Sequence, residues 1–122
     1  MSTVTANHTR HYPNTFTTFE LSCQNGSHTQ TLSIVASYIN PQPDPTEKEE
    51  IEKWEHVISE GAIHSNVPLM VIGDLNKNGL KIMERISKKS PLFNQAAHLT
   101  TFDNGRYEAS LDAIYVKNLM TK

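Results

Sequence analysis

A short apolar run that ends on a carboxylate and an amide places the strongest constraint on how this chain folds. Residues 68–79 read PLMVIGDLNKNG, so the run 69–72 follows a proline and stops at Gly73. An apolar run of this length, bounded by turn residues, is typical of a buried strand. Helical patterns lie on both sides of it in the chain, and a buried strand between helices indicates a sheet covered by helices.

The segments before this run predict a hairpin followed by a helix. Residues 16–23 and 30–39 have strand-like patterns and flank Asn25-Gly26, which is a hairpin turn signal. After the prolines at 41, 43 and 45, Thr46 is predicted to cap a helix, with Glu49 completing a capping box. Apolar residues then recur at helical spacing up to about residue 61.

The segments after the run predict a second helix and a last strand. Helical spacing indicates a helix over about 80–89, residues 91–108 are predicted to be mostly loop, and 111–116 is an apolar strand. The order of elements is then β-β-α-β-α-β. We therefore predict an α/β (α+β) fold, a mixed β-sheet with two helices packed on it.

Composition excludes some functions and bounds the cellular context. The chain has 122 residues, enough for one domain, and 11 Lys and Arg against 13 Asp and Glu give a net charge of −2. No basic field attracts nucleic acid, so any such contact must be local. Cys23 is the only cysteine, which favours a reducing, intracellular compartment, the nucleus or cytoplasm. No stretch is long and apolar enough to span a bilayer, so no membrane partner is expected.

Both ends of the chain are predicted to lie outside the domain. Residues 1–15 are polar and Thr-rich, without the apolar core of a secretory signal, and are predicted to form a flexible N-terminal arm. Their lack of acids leaves an organelle-targeting segment as the alternative. The domain is predicted over 16–116, and 117–122 is predicted to be a tail.

Polar side chains lie near the ends of three predicted strands. Asp74 and Asn76 follow the buried run, and since residues two apart on a strand point to the same side, both are expected to reach one spot. There they would orient a water molecule, bind a divalent cation or hold a phosphate oxygen, unless they form an Asx turn. Tyr38 ends the preceding strand. Asp112 interrupts the last one, where a buried carboxylate needs a partner or a cation unless the strand begins there at the surface.

Three segments, in this order, resemble motifs of the endonuclease/exonuclease/phosphatase superfamily, the fold of DNase I. The sequence YINP at 38–41 is similar to its Tyr-x-x-Pro variant, and PLMVIGDLN at 68–76 resembles its strand ending in Gly-Asp-x-Asn. The sequence TTFDNGRYEASLDAIYV at 100–116 is similar to its Thr-Phe segment followed by a strand that contains Leu-Asp. The resemblance is closest to endonuclease domains of non-LTR retrotransposons.

The resemblance implies hydrolysis of phosphodiesters in DNA with Mg²⁺, and a role for each matching residue. Asp74 would hold Mg²⁺ and position the attacking water, while Asn76 would hold Asp74 and the phosphate oxygens. Tyr38 would contact the scissile phosphate, and Asp112 would orient a catalytic histidine. Thr101 and Asn40 would line the substrate-binding surface.

The resemblance covers only the C-terminal half of the family's four-layer sandwich. Nothing matches the family's metal-binding Glu, and no histidine follows Asp112. The isolated chain is therefore expected to be catalytically incomplete. Three hypotheses remain: a phosphodiesterase completed by another chain, a degenerate nuclease remnant that serves as a structural or interaction module, or an unrelated α/β binding module.

The half-sandwich also implies a partner. The runs 32–36 and 69–72 are largely apolar at consecutive positions and so present apolar side chains to both faces of the sheet. A homodimer or a second protein is expected to cover the face that the helices leave open.

Overall fold

A single mixed sheet with two helices forms the fold. The computed structural model describes residues 2–103 and 107–117, except for the side chains of residues 2, 3, 8, 97–103 and 107–112. The elements in chain order are β1 (Ser2–Tyr12), β2 (Phe16–Asn25), β3 (His28–Tyr38), α1 (Pro45–Ser59), a π-helical turn (Glu60–His64), β4 (Leu69–Asp74), α2 (Asn76–Lys89), β5 (Phe93–Asp103) and β6 (Tyr107–Lys117).

The six strands lie in the order β1-β2-β3-β4-β6-β5. Strands β3 and β4 are parallel and joined through α1, whereas the other neighbouring pairs are antiparallel. The predicted fold class, a mixed sheet with two helices, is confirmed.

Helix α1 begins two residues before the predicted cap. The N-cap is Asp44, whose Oδ1 accepts a hydrogen bond from the Glu47 N–H at 2.7 Å, while Glu47 Oε1 accepts one from the Asp44 N–H at 3.0 Å. The prediction of Thr46 and Glu49 as the capping box was wrong. Pro45 is the first residue of the helix, where its fixed φ and missing N–H cost nothing.

Both helices pack on one side of the sheet, which we call the helix-covered face. Register places Val35, Val71 and Tyr115 in one row across β3, β4 and β6, and each is at most 3% exposed. On β3, Ser37 Oγ accepts a hydrogen bond from the indole Nε1–H of Trp54 at 2.8 Å. The helices supply the other half of this core through Trp54, Ile58, Met83 and Ile86.

The opposite side of the sheet is also apolar, and we call it the open face. Because side chains alternate along a strand, the neighbours of the buried row point to this side. No helix among the described residues packs on it, and its side chains are partly exposed. They are Phe19, Leu21, Leu32, Ile34, Ala36, Met70, Ile72, Ile114 and Val116.

Two segments differ from their predicted structure. Residues 2–12, predicted to be a flexible arm, form β1 and pair with β2 from Ser2 opposite Asn25 to Tyr12 opposite Phe16. Most of 91–108, predicted to be loop, belongs to β5 and β6. The sheet therefore extends beyond the predicted N-terminal boundary at residue 16. Lys117, assigned to the tail, is the last residue of β6, and the rest of that tail lies outside the described residues.

Neither helix in the described part of the chain has the length and apolar character needed to cross a bilayer.

Candidate functional site

Three of the predicted catalytic residues lie in one row across three adjacent strands. Tyr38, the last residue of β3, is the register partner of Asp74, the last residue of β4. On the other side of β4, Asp74 is opposite Asp112 of β6. Neighbouring strands are about 4.8 Å apart, so the backbones of these three residues lie within about 10 Å of one another. For Asp112 this is a statement about the backbone position alone.

Gly73 allows β4 to approach β3 at this row. Its φ is +136°, and a Cβ built on it would lie 1.8 Å from the backbone oxygen of Ser37. No residue with a side chain fits there without moving one of the two strands. The glycine of the GDLN motif thus has a structural reason of its own.

Asp74 has a buried carboxylate oxygen that lacks a protein partner. Its Oδ1 is inaccessible to solvent and accepts no hydrogen bond from the described residues. Its backbone oxygen is satisfied, because it accepts a hydrogen bond from the Ile39 N–H at 2.9 Å. Buried polar atoms in native proteins are nearly always paired, so this one needs an occupant such as water or a cation.

Asn76 does not share a strand with Asp74, contrary to the prediction that put both on one side of a strand. It is the first residue of α2 and has φ = +51°, a conformation that asparagine tolerates better than most residues. Its Nδ2 donates a hydrogen bond to the backbone oxygen of Ile39 at 2.8 Å. The amide therefore joins the start of α2 to the segment that follows β3.

Asn40 is also held within that segment. Its Nδ2 donates to the carboxylate oxygens of Glu47 at 3.1 and 3.3 Å, and its Oδ1 accepts from the Gln42 N–H at 2.9 Å. Its backbone oxygen accepts a hydrogen bond from Asn78 Nδ2 at 2.8 Å. Asn40, Asn76 and Asn78 thus fix the connection beside Tyr38 and Asp74.

Tyr38 opens onto a cavity that sequence reasoning missed. The residue is 50% exposed and lines a cavity of about 500 Å³ together with His11, Asn14 and Thr17. The Nδ1 atom of His11 lies 2.7 Å from the Thr17 hydroxyl. No signal in the sequence placed His11 here, because the segment was assigned to an arm instead of a strand.

Thr101 does not belong to the row. Its backbone lies on β5 opposite Ser110, whereas the β5 residue opposite Asp112 is Leu99. Its side chain falls outside the described residues, so its proposed contact with substrate stays a prediction.

The described residues fit Mg²⁺ only in part. None of their His, Cys, Asp and Glu side chains form a group of three that could hold a metal ion. Mg²⁺, however, is often bound by one or two carboxylates, several waters and the phosphates of a substrate. The buried, unpaired Oδ1 of Asp74 suits such a ligand.

No family model matches the sequence, and a search of curated proteins finds no match. Among solved structures, the chain is similar to the human Nocturnin catalytic domain with a bound sulfate anion, at 14% identity and a TM-score of 0.49. That similarity covers 95% of this chain and 48% of the Nocturnin chain.

The chain is also similar to an endonuclease/exonuclease/phosphatase family protein from Bacteroides thetaiotaomicron, at 13% identity and a TM-score of 0.44. Here 84% of this chain and 41% of the other are covered. The chain thus spans less than half the length of either structure. At TM-scores below 0.5, the family of the chain stays a prediction from its motifs.

Proposed function

We propose that this chain carries part of a Mg²⁺-dependent phosphodiesterase site of the retroelement endonuclease type, with DNA as substrate. The observation that carries the proposal is the unpaired, buried Oδ1 of Asp74, in register with Tyr38 and Asp112. An acid in that position needs a cation or an ordered water, and both are components of phosphodiester hydrolysis.

In this proposal each residue acts through its place in the row. Asp74 would hold Mg²⁺ and orient a water molecule, while the half-exposed Tyr38 would contact a phosphate oxygen through its hydroxyl. Mg²⁺, when bound, would neutralise the charge that develops on the phosphate. Asn76 would act by positioning, because its amide fixes Ile39, whose N–H in turn bonds to the backbone of Asp74.

The chain as it stands offers no candidate for the proton-transferring histidine that the motifs imply beyond Asp112. We therefore propose that residues outside this chain complete the reaction, in the nucleus or cytoplasm where a retroelement nuclease would work. Full activity of the chain by itself is not expected.

A structural or interaction module derived from a nuclease is the second candidate. The amides of Asn40 and Asn76 favour it, because their Nδ2 groups already bond within the protein at 2.8 to 3.3 Å. In that case Asp74 would bind a water molecule and no metal.

Mg²⁺-dependent stability distinguishes the two candidates. A ligand at ten times its Kd stabilises the folded state by about 1.4 kcal/mol, so Mg²⁺ should raise the melting temperature of the wild type relative to EDTA. Asp74→Asn removes the carboxylate and should abolish this increase. Asp44→Asn is the matched control, because asparagine caps a helix as well as aspartate and the response to Mg²⁺ should stay intact.

A wild-type melting temperature that is equal in Mg²⁺ and EDTA would contradict the metal site and leave the structural module. A response to Mg²⁺ that survives Asp74→Asn would place the ion elsewhere. Nicking of supercoiled plasmid DNA is the second readout: any activity of the isolated chain should require Mg²⁺ and vanish in Asp74→Asn.

A further inference from the structure

The open face of the sheet has the composition of an interface. Its centre carries Ile34, Ile72 and Ile114 in neighbouring strands, flanked by Met70 and Val116, and all five are partly exposed. Isolated surface apolar residues are ordinary, but a contiguous patch across several strands marks an interaction site.

The face contains no charge that would select an oppositely charged partner. None of the described side chains that define it is ionisable. Two copies placed face to face therefore bring no like charges together at the centre. An uncharged, apolar patch is complementary to itself, which a two-fold contact between identical chains requires.

The size of the face also suits a dimer. Six strands spaced about 4.8 Å apart are about 29 Å wide, and six residues of a strand at about 3.3 Å each are about 20 Å long. Covering that area on two copies removes roughly 1,200 Å² from solvent, the lower end of the range for specific interfaces.

The end of the face opposite Tyr38 carries both a protruding residue and a hollow. Val4 of β1 is 67% exposed, and it borders a cavity of about 540 Å³ that Leu21, Leu32, Val67 and Pro68 also line. In a two-fold contact each copy offers both features to the other, so one arrangement satisfies both.

We propose that a second copy of this chain covers the open face in a two-fold dimer, sheet against sheet. The two sheets would pack with their strands about 30° apart, as aligned sheets do. The proposal does not depend on the phosphodiesterase site, because it uses apolar side chains that take no part in that chemistry.

Light scattering after size exclusion tests the proposal directly. Over about 1 to 200 μM, a range that spans typical Kd values for interfaces of this size, the mass should rise from 13.7 kDa toward twice that value. A mass of 13.7 kDa throughout would overturn the proposal and assign the face to a different polypeptide.

Two lysine substitutions locate the interface. Ile34→Lys puts a charge at the centre of the open face and should weaken dimerisation by at least about 100-fold, as removal of a central hot spot does. Gln24→Lys is the matched control, since Gln24 is exposed on the other side of β2 and dimerisation should be unchanged. A dimer that is indifferent to Ile34→Lys would overturn the proposed interface.

A measurement without substitution protects the test against misfolding of Ile34→Lys. The only cysteine, Cys23, is on β2 opposite Val4, at the edge of the open face. Its rate of alkylation by iodoacetamide should fall as protein concentration rises through the dimerisation range. A rate independent of concentration, alongside a dimer seen by light scattering, would place the contact on another surface.

Discussion

The two faces of the sheet differ in burial far more than in composition. On β4, Val71 faces the helices and is fully buried, while its neighbours Met70 and Ile72 face the other way and remain partly exposed. All three are apolar, so the residues themselves do not reveal which side the helices cover. The helix-covered face supports the fold, and the open face is available for a contact.

Gly73 lies where this distinction gives way to backbone geometry, and its substitution should have the largest effect. In Gly73→Ala the new Cβ would meet the Ser37 oxygen at 1.8 Å, at a φ that disfavours any side chain. We expect a loss of more than about 3 kcal/mol in the free energy of unfolding, measured with denaturant.

The matched control is Gly26→Ala in the β2–β3 turn. Gly26 also has a positive φ, +64°, but nothing lies within 4 Å of its added Cβ. Only the conformational cost, about 1 to 2 kcal/mol, should appear. Equal losses at the two glycines would mean that β3 and β4 do not approach each other as closely as described.

Two valine-to-alanine substitutions compare the faces with the same chemical change. Val71→Ala opens a cavity under the helices, and its loss of two buried methyl groups should cost about 2 to 3 kcal/mol. Val116→Ala on the open face removes partly exposed atoms and should cost less than about 1 kcal/mol.

Both valine variants are measured by urea unfolding at a protein concentration low enough to keep the chain monomeric. Similar costs at that concentration would show that the open face is covered within the single chain. A cost for Val116→Ala that grows with concentration would instead report the dimer contact.

Patterns along the chain predicted the central elements well and the edges poorly. The hairpin of β2 and β3 and the strand β4 follow regular apolar patterns, and register within them is uninterrupted. Strand β1 has a bulge between His8 and Arg10, and β5 has one between Gln95 and Ala97. A bulge shifts the alternation of side chains, so period-2 analysis does not detect such a strand. Polar residues on edge strands weaken the signal further.

The candidate site was predictable as a set of residues and less so as a geometry. Tyr38, Asp74 and Asp112 were predicted at strand ends, and sheet register aligns their backbones. The position of Asn76 was missed because the chain turns into α2 immediately after Asp74, with a positive φ that no local pattern signals. His11 was missed because its proximity to Tyr38 depends on the pairing of β1, a long-range contact.

Tyr115 on the helix-covered face provides the last and smallest test. Burial, followed by the nearby Glu84 carboxylate, raises the pKa of its phenol above 10.0. The unfolded chain therefore loses this proton at a lower pH than the folded one. Below about pH 10 the stabilisation is fully present, and it decreases as pH rises toward the folded pKa. Tyr115→Phe should retain the stacking on Phe93, at 5.5 Å between ring centroids, and lack this alkaline loss. Denaturant unfolding between pH 8 and pH 11 measures it, since the wild type should lose stability relative to the variant only above pH 10; parallel curves throughout would show that the hydroxyl of Tyr115 reaches water in the folded protein.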